Sequence, residues 1–204
     1  MNLTRSTQDF LKENLTLADA LPTEMPVYVN STAYLFGVSA LSALVILILT
    51  GVVMSLFGPD WYHRSGIGHF VNSLHFWSVQ ILFLAIMLHL LTKYFMAAWR
   101  DGRDWTWIVG VLAFGASMIT ALTGFLSQTN WDSQWIAVQA KDALNAVGVG
   151  AFFNTMNTGQ VLTLHMIVLP LVVAFLVGIH LFFIRRDSPV RPLPEEGDEN
   201  EPAI

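Results

Sequence analysis

Long apolar stretches separated by short polar connections dominate this chain. Four stretches contain no Asp, Glu, Lys or Arg and are long enough to cross about 30 Å of hydrocarbon at about 1.5 Å per residue. They are residues 35–57 (span A), 70–91 (span B), 105–126 (span C) and 159–184 (span D). Each is predicted to be an α-helix, because a single open segment in lipid satisfies its backbone polar groups only as a helix. The continuous runs lack the alternation of β-barrel strands. The pattern therefore predicts an all-α integral membrane protein with four transmembrane helices.

The residues outside the spans are more polar. Residues 1–33 are predicted to form an N-terminal segment, either amphipathic on the membrane surface or disordered. Residues 127–158 are too polar to span but include aromatic side chains suited to short interfacial helices, namely Trp131, Trp135, Phe152 and Phe153. Residues 187–204 are rich in Pro and Glu and predict a flexible acidic tail. We therefore place a four-helix domain at residues 34–186.

Lys and Arg predict the orientation of the spans. The B–C connection, the segment after span D and the N-terminus carry most of them (Lys93, Arg100, Arg103, Arg185, Arg186, Arg191, Arg5 and Lys12). The A–B connection has only Arg64 and the C–D connection only Lys141. Because positive residues stay on the cytoplasmic side, we expect both termini in the cytoplasm and the A–B and C–D connections on the opposite, positive side.

Composition excludes several classes of protein. Hydrophobic residues make up 54% of the chain and charged residues 12%, against about 25% charged residues in soluble domains. This excludes an ordinary soluble domain and a disordered chain. A net charge of −5 offers no basic surface, so no nucleic-acid partner is expected. With no cysteine, the chain can form no disulfide, thiolate metal site or thioether-linked haem.

Four of the six histidines lie inside the spans and are functional candidates, because an ionisable side chain at membrane depth is costly. His75 and His89 are fourteen residues apart on span B, and His165 and His180 are fifteen apart on span D. These separations advance a helix by about 21 and 22.5 Å and return to within about 40–60° of the same face. Because one crossing separates B from D, the two spans run in the same direction. His75 and His165 should therefore share one depth, and His89 and His180 another.

Imidazoles paired at two depths predict two flat groups, each ligated from both sides, and two non-covalent b haems with two axial histidines each fit best. Zinc would need three or four ligands per site, and no Asp, Glu or Cys lies inside the spans. The alternative is four separate core histidines, each hydrogen-bonded to a neighbouring helix. His63 and His69 lie outside the spans and are expected to be loop residues.

Glycines in the other two spans repeat the histidine interval. Gly37 and Gly51 on span A, and Gly110 and Gly124 on span C, are each fourteen residues apart. A haem in a four-helix bundle needs room beside it, and missing side chains supply room. Each glycine pair alone would be typical of close helix packing. Together with the histidines, the shared interval favours haem packing.

These residues resemble the N-terminal, four-helix part of cytochrome b, the haem-bearing subunit of quinol–cytochrome c/plastocyanin oxidoreductases, from about Tyr34 to Leu193. With four spans, the chain is similar to the short, split form (the cytochrome b6 type). The fifteen-residue separation on span D, the stretch from His165 to Leu171, and Ile184-Arg-Arg resemble the fourth helix of that form. The stretch from Arg103 to Trp107, leading to Gly110, resembles the start of its third helix.

The resemblance implies that His75 and His165 bind a low-potential haem on the positive side, and His89 and His180 a high-potential haem on the cytoplasmic side. It implies quinol oxidation near the positive side, one electron passing to a Rieske iron–sulfur protein and the other crossing to reduce quinone. The expected partners are quinol and quinone, a Rieske protein, a subunit with the C-terminal cytochrome b helices, and a cytochrome c-type acceptor. We expect a dimeric complex in the lipid bilayer, most simply of a prokaryotic cell membrane.

The chain departs from the family at charged positions near the histidines. Asn72 and Thr92 stand where the family has arginines that meet haem propionates, which makes Lys93, Arg100 and Arg103 the candidate propionate partners on the cytoplasmic side.

Three further stretches need separate interpretation. After Gly124 the family usually reads Tyr-x-Leu-Pro-Trp, whereas this chain has another sequence up to Trp131. The stretch from Pro59 to Tyr62 spells a variant of the family's quinol-site signature at a different place in the chain, and we interpret it as a turn with interfacial aromatic residues. Pro170 predicts a kink in span D.

Two other functions fit the same pattern. One is a dihaem membrane anchor of a different quinone-linked oxidoreductase. The other is a haem-free scaffold or channel in which the histidines pack or relay protons.

Overall fold

A computed structural model describes residues 31–128 and 130–188. These residues form five helices, α1 (Thr32–Arg64), α2 (Gly66–Phe95), α3 (Asp104–Leu126), α4 (Trp131–Ala146) and α5 (Thr158–Asp187), and include no strand. Four of them, α1, α2, α3 and α5, are long and apolar enough to cross a membrane. The predicted all-α, four-span fold is confirmed. Most of the predicted N-terminal segment and acidic tail lies outside the described residues.

The connection between α1 and α2 is tighter than predicted. Gly58 has φ +78°, which a residue without Cβ adopts at little cost, and it interrupts α1. Pro59 then begins a short helical segment that ends at Arg64, because the fixed φ of proline suits a first helical position. The stretch from Pro59 to Tyr62, predicted to be a turn, is therefore helical, and His63 and His69 lie at helix ends rather than in a loop.

Ser65 is the hinge between these two helices. Its Oγ accepts a hydrogen bond of 2.8 Å from the backbone N–H of Gly68 and caps α2. A methyl group on Gly68 would overlap the Trp61 carbonyl and the Tyr62 backbone, so the close approach of the two helix ends requires glycine.

The transmembrane helices pack as two pairs, α1 with α2 and α3 with α5. Small residues are buried in these pairs, among them Ala43, Ser78, Ala85, Ala113 and Ser117. Between helices in lipid the hydrophobic effect contributes little, so small residues that let backbones approach stabilise the contact.

Buried hydroxyl groups in these helices bond to their own backbone. Ser117 Oγ donates to the Ala113 carbonyl at 2.8 Å, and Thr123 Oγ1 donates to the Thr120 carbonyl at 2.8 Å. These bonds satisfy polar groups that would otherwise be unpaired in hydrocarbon.

Helix α4 packs against one end of the α3–α5 pair. Leu126, Ala137 and Val161 form a small core there, and the hydroxyl of Thr155 donates to the Ala137 carbonyl at 2.6 Å. Trp131 is 79% exposed and Trp135 58% exposed, as expected for aromatic residues at a membrane surface. The prediction of a helix within residues 127–158 is confirmed.

Helix α5 is continuous but not uniform. An α-helical turn (Thr158–Thr163) is followed by a π-helical turn (Leu164–Val168) and then by an α-helix (Leu169–Asp187). The α1–α2 pair contacts the α3–α5 pair mainly where α1 approaches the π-helical turn of α5. The space between the pairs is where the four histidines of the spans face each other.

Candidate cofactor-binding sites

The structure brings the four histidines together in two pairs. His75 on α2 faces His165 on α5, with ring centres 6.3 Å apart and ring planes at 80°. His89 and His180 lie near each other at the other end of the same helices. All four side chains are half-buried. Each pair joins a helix of one packed pair to a helix of the other.

A glycine of the neighbouring helix lies behind each histidine ring. A methyl group built on the glycine would approach the ring Cε1 at 3.2 Å for Gly37 and His89, 3.3 Å for Gly51 and His75, 2.8 Å for Gly110 and His180, and 2.5 Å for Gly124 and His165. The room left by each glycine is therefore taken by an imidazole. Room for a porphyrin beside the same glycines stays a prediction.

The Nδ1 atoms of the α5 histidines bond to backbone carbonyls of α3. His165 Nδ1 lies 2.9 Å from the Thr120 carbonyl, and His180 Nδ1 lies 2.9 Å from the Thr106 carbonyl. Each carbonyl belongs to the residue four positions before the glycine behind the ring. Because a carbonyl only accepts, Nδ1 carries the proton and donates.

The α2 histidines make different bonds to α1. His75 Nδ1 lies 2.8 Å from Oγ1 of Thr50, the residue before Gly51. His89 Nδ1 is buried with no partner at hydrogen-bond geometry among the described residues, although the Ala33 carbonyl, four positions before Gly37, faces it. In all four rings Nδ1 therefore faces the helix packed behind the ring, which is α1 for the α2 histidines and α3 for the α5 histidines.

This arrangement leaves Nε2 as the nitrogen that could bind a metal. In a neutral imidazole that donates through Nδ1, Nε2 carries the free lone pair. A hydrogen bond from the other ring nitrogen is what orients metal-ligating histidines in proteins and raises their basicity. Among the described residues, none of the four Nε2 atoms is engaged in a hydrogen bond.

The separation of the His75 and His165 rings fits one iron between them. Metal–imidazole bonds are about 2.0 Å long and the nitrogen lies about 1 Å from the ring centre, so two ligands on opposite sides of one metal have centres roughly 6 Å apart. The observed 6.3 Å agrees. No cluster of three or more His, Cys, Asp or Glu that could hold a metal occurs in the described ranges. Two imidazoles per site suit haem iron, whose remaining ligands come from the porphyrin.

The π-helical turn brings both pairs into register. Leu169 donates its N–H to the carbonyl of Leu164, five residues earlier, so this turn holds one residue more than an α-helical turn. In a regular helix, a histidine fourteen residues after another lies roughly 40° to one side of it around the helix axis. A histidine fifteen residues after another lies roughly 60° to the other side. The extra residue of the π-helical turn takes up roughly 100° of this rotation. The angle between His165 and His180 around α5 is then the same as that between His75 and His89 around α2.

Pro170 follows this turn directly. It is the second residue of the α-helical part Leu169–Asp187, and because proline has no N–H, the continuous helix lacks one backbone hydrogen bond there. Pro170 predicts an irregularity in span D. The irregularity in the structure is a π-helical turn that begins before the proline.

Comparison with known sequences identifies the family. The family model described as "Cytochrome b(N-terminal)/b6/petB" matches residues 80–203. The chain belongs to the cytochrome b family.

Relatives of similar length share this assignment. The cytochrome b subunits named for menaquinol:cytochrome c reductase are 25% identical in Geobacillus thermodenitrificans and 26% in Bacillus subtilis, each over 91% of this chain and 97% of the relative. Cytochrome b6 of Heliobacterium modesticaldum is 27% identical over 79% of this chain and 86% of its own length. The expected likeness to the short, b6-like form of cytochrome b is confirmed.

A solved structure has the same fold. The structure entitled "Hyperthermophilic respiratory Complex III" matches with a TM-score of 0.75 and 22% identity, over 95% of this chain. This chain spans 58% of the matched chain. The likeness supports the arrangement of the helices in this cytochrome b.

The basic residues of this cytochrome b differ in what they contact. Arg103 Nε donates to the Ser188 carbonyl at 2.9 Å, and its guanidinium lies 3.5 Å from Asp101, so it fastens the α2–α3 connection to the end of α5. Lys93, four residues after His89, is half-buried and lies near His89 and His180. A haem propionate contact by any of these basic residues stays a prediction.

Sequence reasoning did not find the Nδ1 partners. Backbone carbonyls such as that of Thr106 carry no side-chain signature and could be found only from the helix pairing. Thr50 did carry a signal, because it is a hydroxyl residue inside span A beside Gly51.

The glycines predict a graded series of substitutions in this cytochrome b. Gly124→Ala and Gly110→Ala should each reduce haem content by about one haem per chain, because overpacking of this kind costs about 1–3 kcal/mol and displaces a ring. Gly37→Ala and Gly51→Ala should have smaller effects, since their contacts are longer. A pyridine haemochrome assay of the purified protein measures the loss.

Matched controls exist in the same helices. Gly115 in α3 and Gly178 in α5 have nothing within 4 Å of an added methyl group, so alanine there should leave haem content unchanged. Equal losses in Gly115→Ala and Gly124→Ala would contradict this account of the glycines.

The π-helical turn predicts an unusual tolerance of a deletion. Removing Ile167 together with Pro170→Ala shortens the α5 interval to fourteen residues, and both haems should remain because a regular helix then gives the same ring relation. Removing Ile81 from α2, which has no π-helical turn, should rotate one ring by roughly 100° and cost a haem. Haem content and optical spectra of the two deletions and of Pro170→Ala alone provide the comparison. Loss of haem in both deletions would rule out a register role.

Proposed function

We propose that this chain is the haem-carrying, electron-transfer subunit of a quinol:cytochrome c/plastocyanin-type oxidoreductase, and that it holds two b haems. The observation that carries the proposal is the pairing of His75 with His165 and of His89 with His180 at two levels of one bundle. Its relatives are named as cytochrome b subunits of menaquinol:cytochrome c reductase and as cytochrome b6, which supports the reaction class.

The two proposed sites lie at different membrane depths. Fourteen residues of α2 separate His75 from His89, which corresponds to about 21 Å along a helix. A haem bound at each site supplies reversible one-electron transfer between its ferric and ferrous states. Sites at both ends of the bundle support transfer of electrons across the membrane, between a quinol-oxidising side and a quinone-reducing side.

The protein contributes ligation and burial. Each imidazole donates its Nδ1 proton toward the outer helix where an acceptor is present, which makes Nε2 a better electron donor to a metal. The glycines let the rings sit close to α1 and α3, so that the bundle stays narrow around the sites. The apolar spans exclude water, and they contain no acidic side chain that could compete with the histidines as a ligand.

The proposed topology follows the distribution of Lys and Arg. We place both termini and the α2–α3 connection on the cytoplasmic side of a prokaryotic membrane, and α4 on the positive side. His75 and His165 then form the positive-side site and His89 and His180 the cytoplasmic-side site.

The proposed assembly is a multisubunit complex. Its further members are a subunit with the remaining cytochrome b helices, a Rieske iron–sulfur protein that takes the other electron from quinol, and a cytochrome c-type acceptor. We propose a dimer of this complex. The names of the reductase relatives include cytochrome c, which supports a cytochrome c-type acceptor as a partner.

Substitution of single histidines tests the proposal. His75→Ala and His89→Ala should each remove one haem per chain and leave the other, because the two sites share no ligand. Both variants should lower quinol-driven reduction of cytochrome c by the purified complex by more than about tenfold, since loss of a residue that only supports a metal ligand already costs about 10–100-fold in metal affinity or activity. Redox titration followed at the haem α-band counts the haems.

His69→Ala is the matched control, since His69 is exposed at the start of α2 and its Nε2 lies 2.6 Å from the His63 carbonyl. It should retain both haems and full turnover. Two intact haems in His89→Ala would contradict the ligand assignment. Full turnover of that variant with one haem would contradict a path that uses both sites.

A further inference from the structure

Thr50 is the hydrogen-bond partner of His75 Nδ1, and it differs from the groups that face Nδ1 of the other three paired histidines. His165 and His180 bond to backbone carbonyls, and His89 has no partner at hydrogen-bond geometry among the described residues. Only His75 is bonded to a side chain, through Thr50 Oγ1 at 2.8 Å. The hydroxyl is buried, with Thr50 8% exposed.

The direction of these hydrogen bonds follows from their partners. Thr50 Oγ1 lies 2.7 Å from the Ile46 carbonyl and 3.2 Å from the Leu47 carbonyl. Carbonyl oxygens accept only, so the single hydroxyl proton is donated to α1 itself. The lone pair that faces His75 is therefore an acceptor, and His75 donates its Nδ1–H to it.

The Thr50 hydroxyl is the acceptor at hydrogen-bond geometry to His75 Nδ1. The Leu47 carbonyl, four positions before Gly51, lies on the same side of the ring, where α3 places carbonyls against the α5 histidines. The hydroxyl is an addition to that arrangement, polarised by its own bond to Ile46. Stronger donation from Nδ1 makes an imidazole more electron-rich at Nε2 and stabilises the ferric state of bound iron.

We propose that Thr50 is a positioning residue that lowers the reduction potential of the His75/His165 site relative to the His89/His180 site. The inference rests on the proposed function, since it needs iron ligated by these histidines. It attributes part of the difference in reduction potential between the two sites to the hydroxyl group of Thr50. A carbonyl cannot be removed by substitution of its own side chain, so Thr50 is the one partner that a substitution can delete cleanly.

Thr50→Val tests the proposal, because valine has the shape of threonine without the hydroxyl. The variant should keep two haems and shift one of them to a higher midpoint potential. The expected change in its oxidised-to-reduced equilibrium is about threefold to tenfold, and tenfold corresponds to about 59 mV for one electron. Redox titration of the purified complex, followed optically, measures both midpoints in one experiment.

Two variants serve as controls. Thr50→Ser keeps the hydroxyl and should restore the wild-type potential. Ser55→Ala removes another hydroxyl of α1, whose Oγ donates to the Gly51 carbonyl at 2.8 Å and not to a histidine, and it should shift neither haem.

Each outcome decides the question. An upward shift of one midpoint in Thr50→Val that Thr50→Ser does not show supports the proposal, and a downward shift overturns it. Unchanged midpoints in Thr50→Val overturn it, and so do equal effects of valine and serine, which would indicate packing. A wild-type complex without these two haems would instead refute the proposed function.

Discussion

An imidazole inside a membrane must satisfy two nitrogens without help from water, and this requirement organises the whole bundle. One nitrogen of each ring turns outward to the neighbouring helix, where a carbonyl or a hydroxyl faces it. The other nitrogen turns inward and needs a partner that the described helices do not provide. A metal held between the rings would satisfy both inward nitrogens of a pair at once.

The pairing of the helices follows from that outward bond. A ring can reach a backbone carbonyl of the next helix only if no side chain stands between them, which is why Gly110 and Gly124 lie directly behind His180 and His165. The carbonyl used is one helical turn before the glycine, on the same face of the helix. Glycine, carbonyl and imidazole therefore form one repeated unit, present twice on α3 and in altered form on α1.

The sequence alone was enough for the four spans, the two histidine levels and the matching glycine interval, because hydropathy and a 3.6-residue period are written in side chains. It was not enough for the Nδ1 partners, which are mostly backbone atoms. The break at Gly58 agrees with the predicted end of span A at Phe57, but the helical form of the stretch from Pro59 to Arg64 escaped prediction. The additional residue between His165 and His180 was visible, but only the π-helical turn shows how α5 accommodates it.

The number of haems per chain is the measurement that tests the account most directly. A pyridine haemochrome assay on the purified protein, scaled to protein by amino-acid analysis, should give two non-covalent b haems per chain. The optical spectrum of the intact protein should be the low-spin spectrum of iron between two imidazoles. A value of one would mean that the two histidine levels are not equivalent as sites. A value of zero in protein purified with intact helices would contradict the central claim.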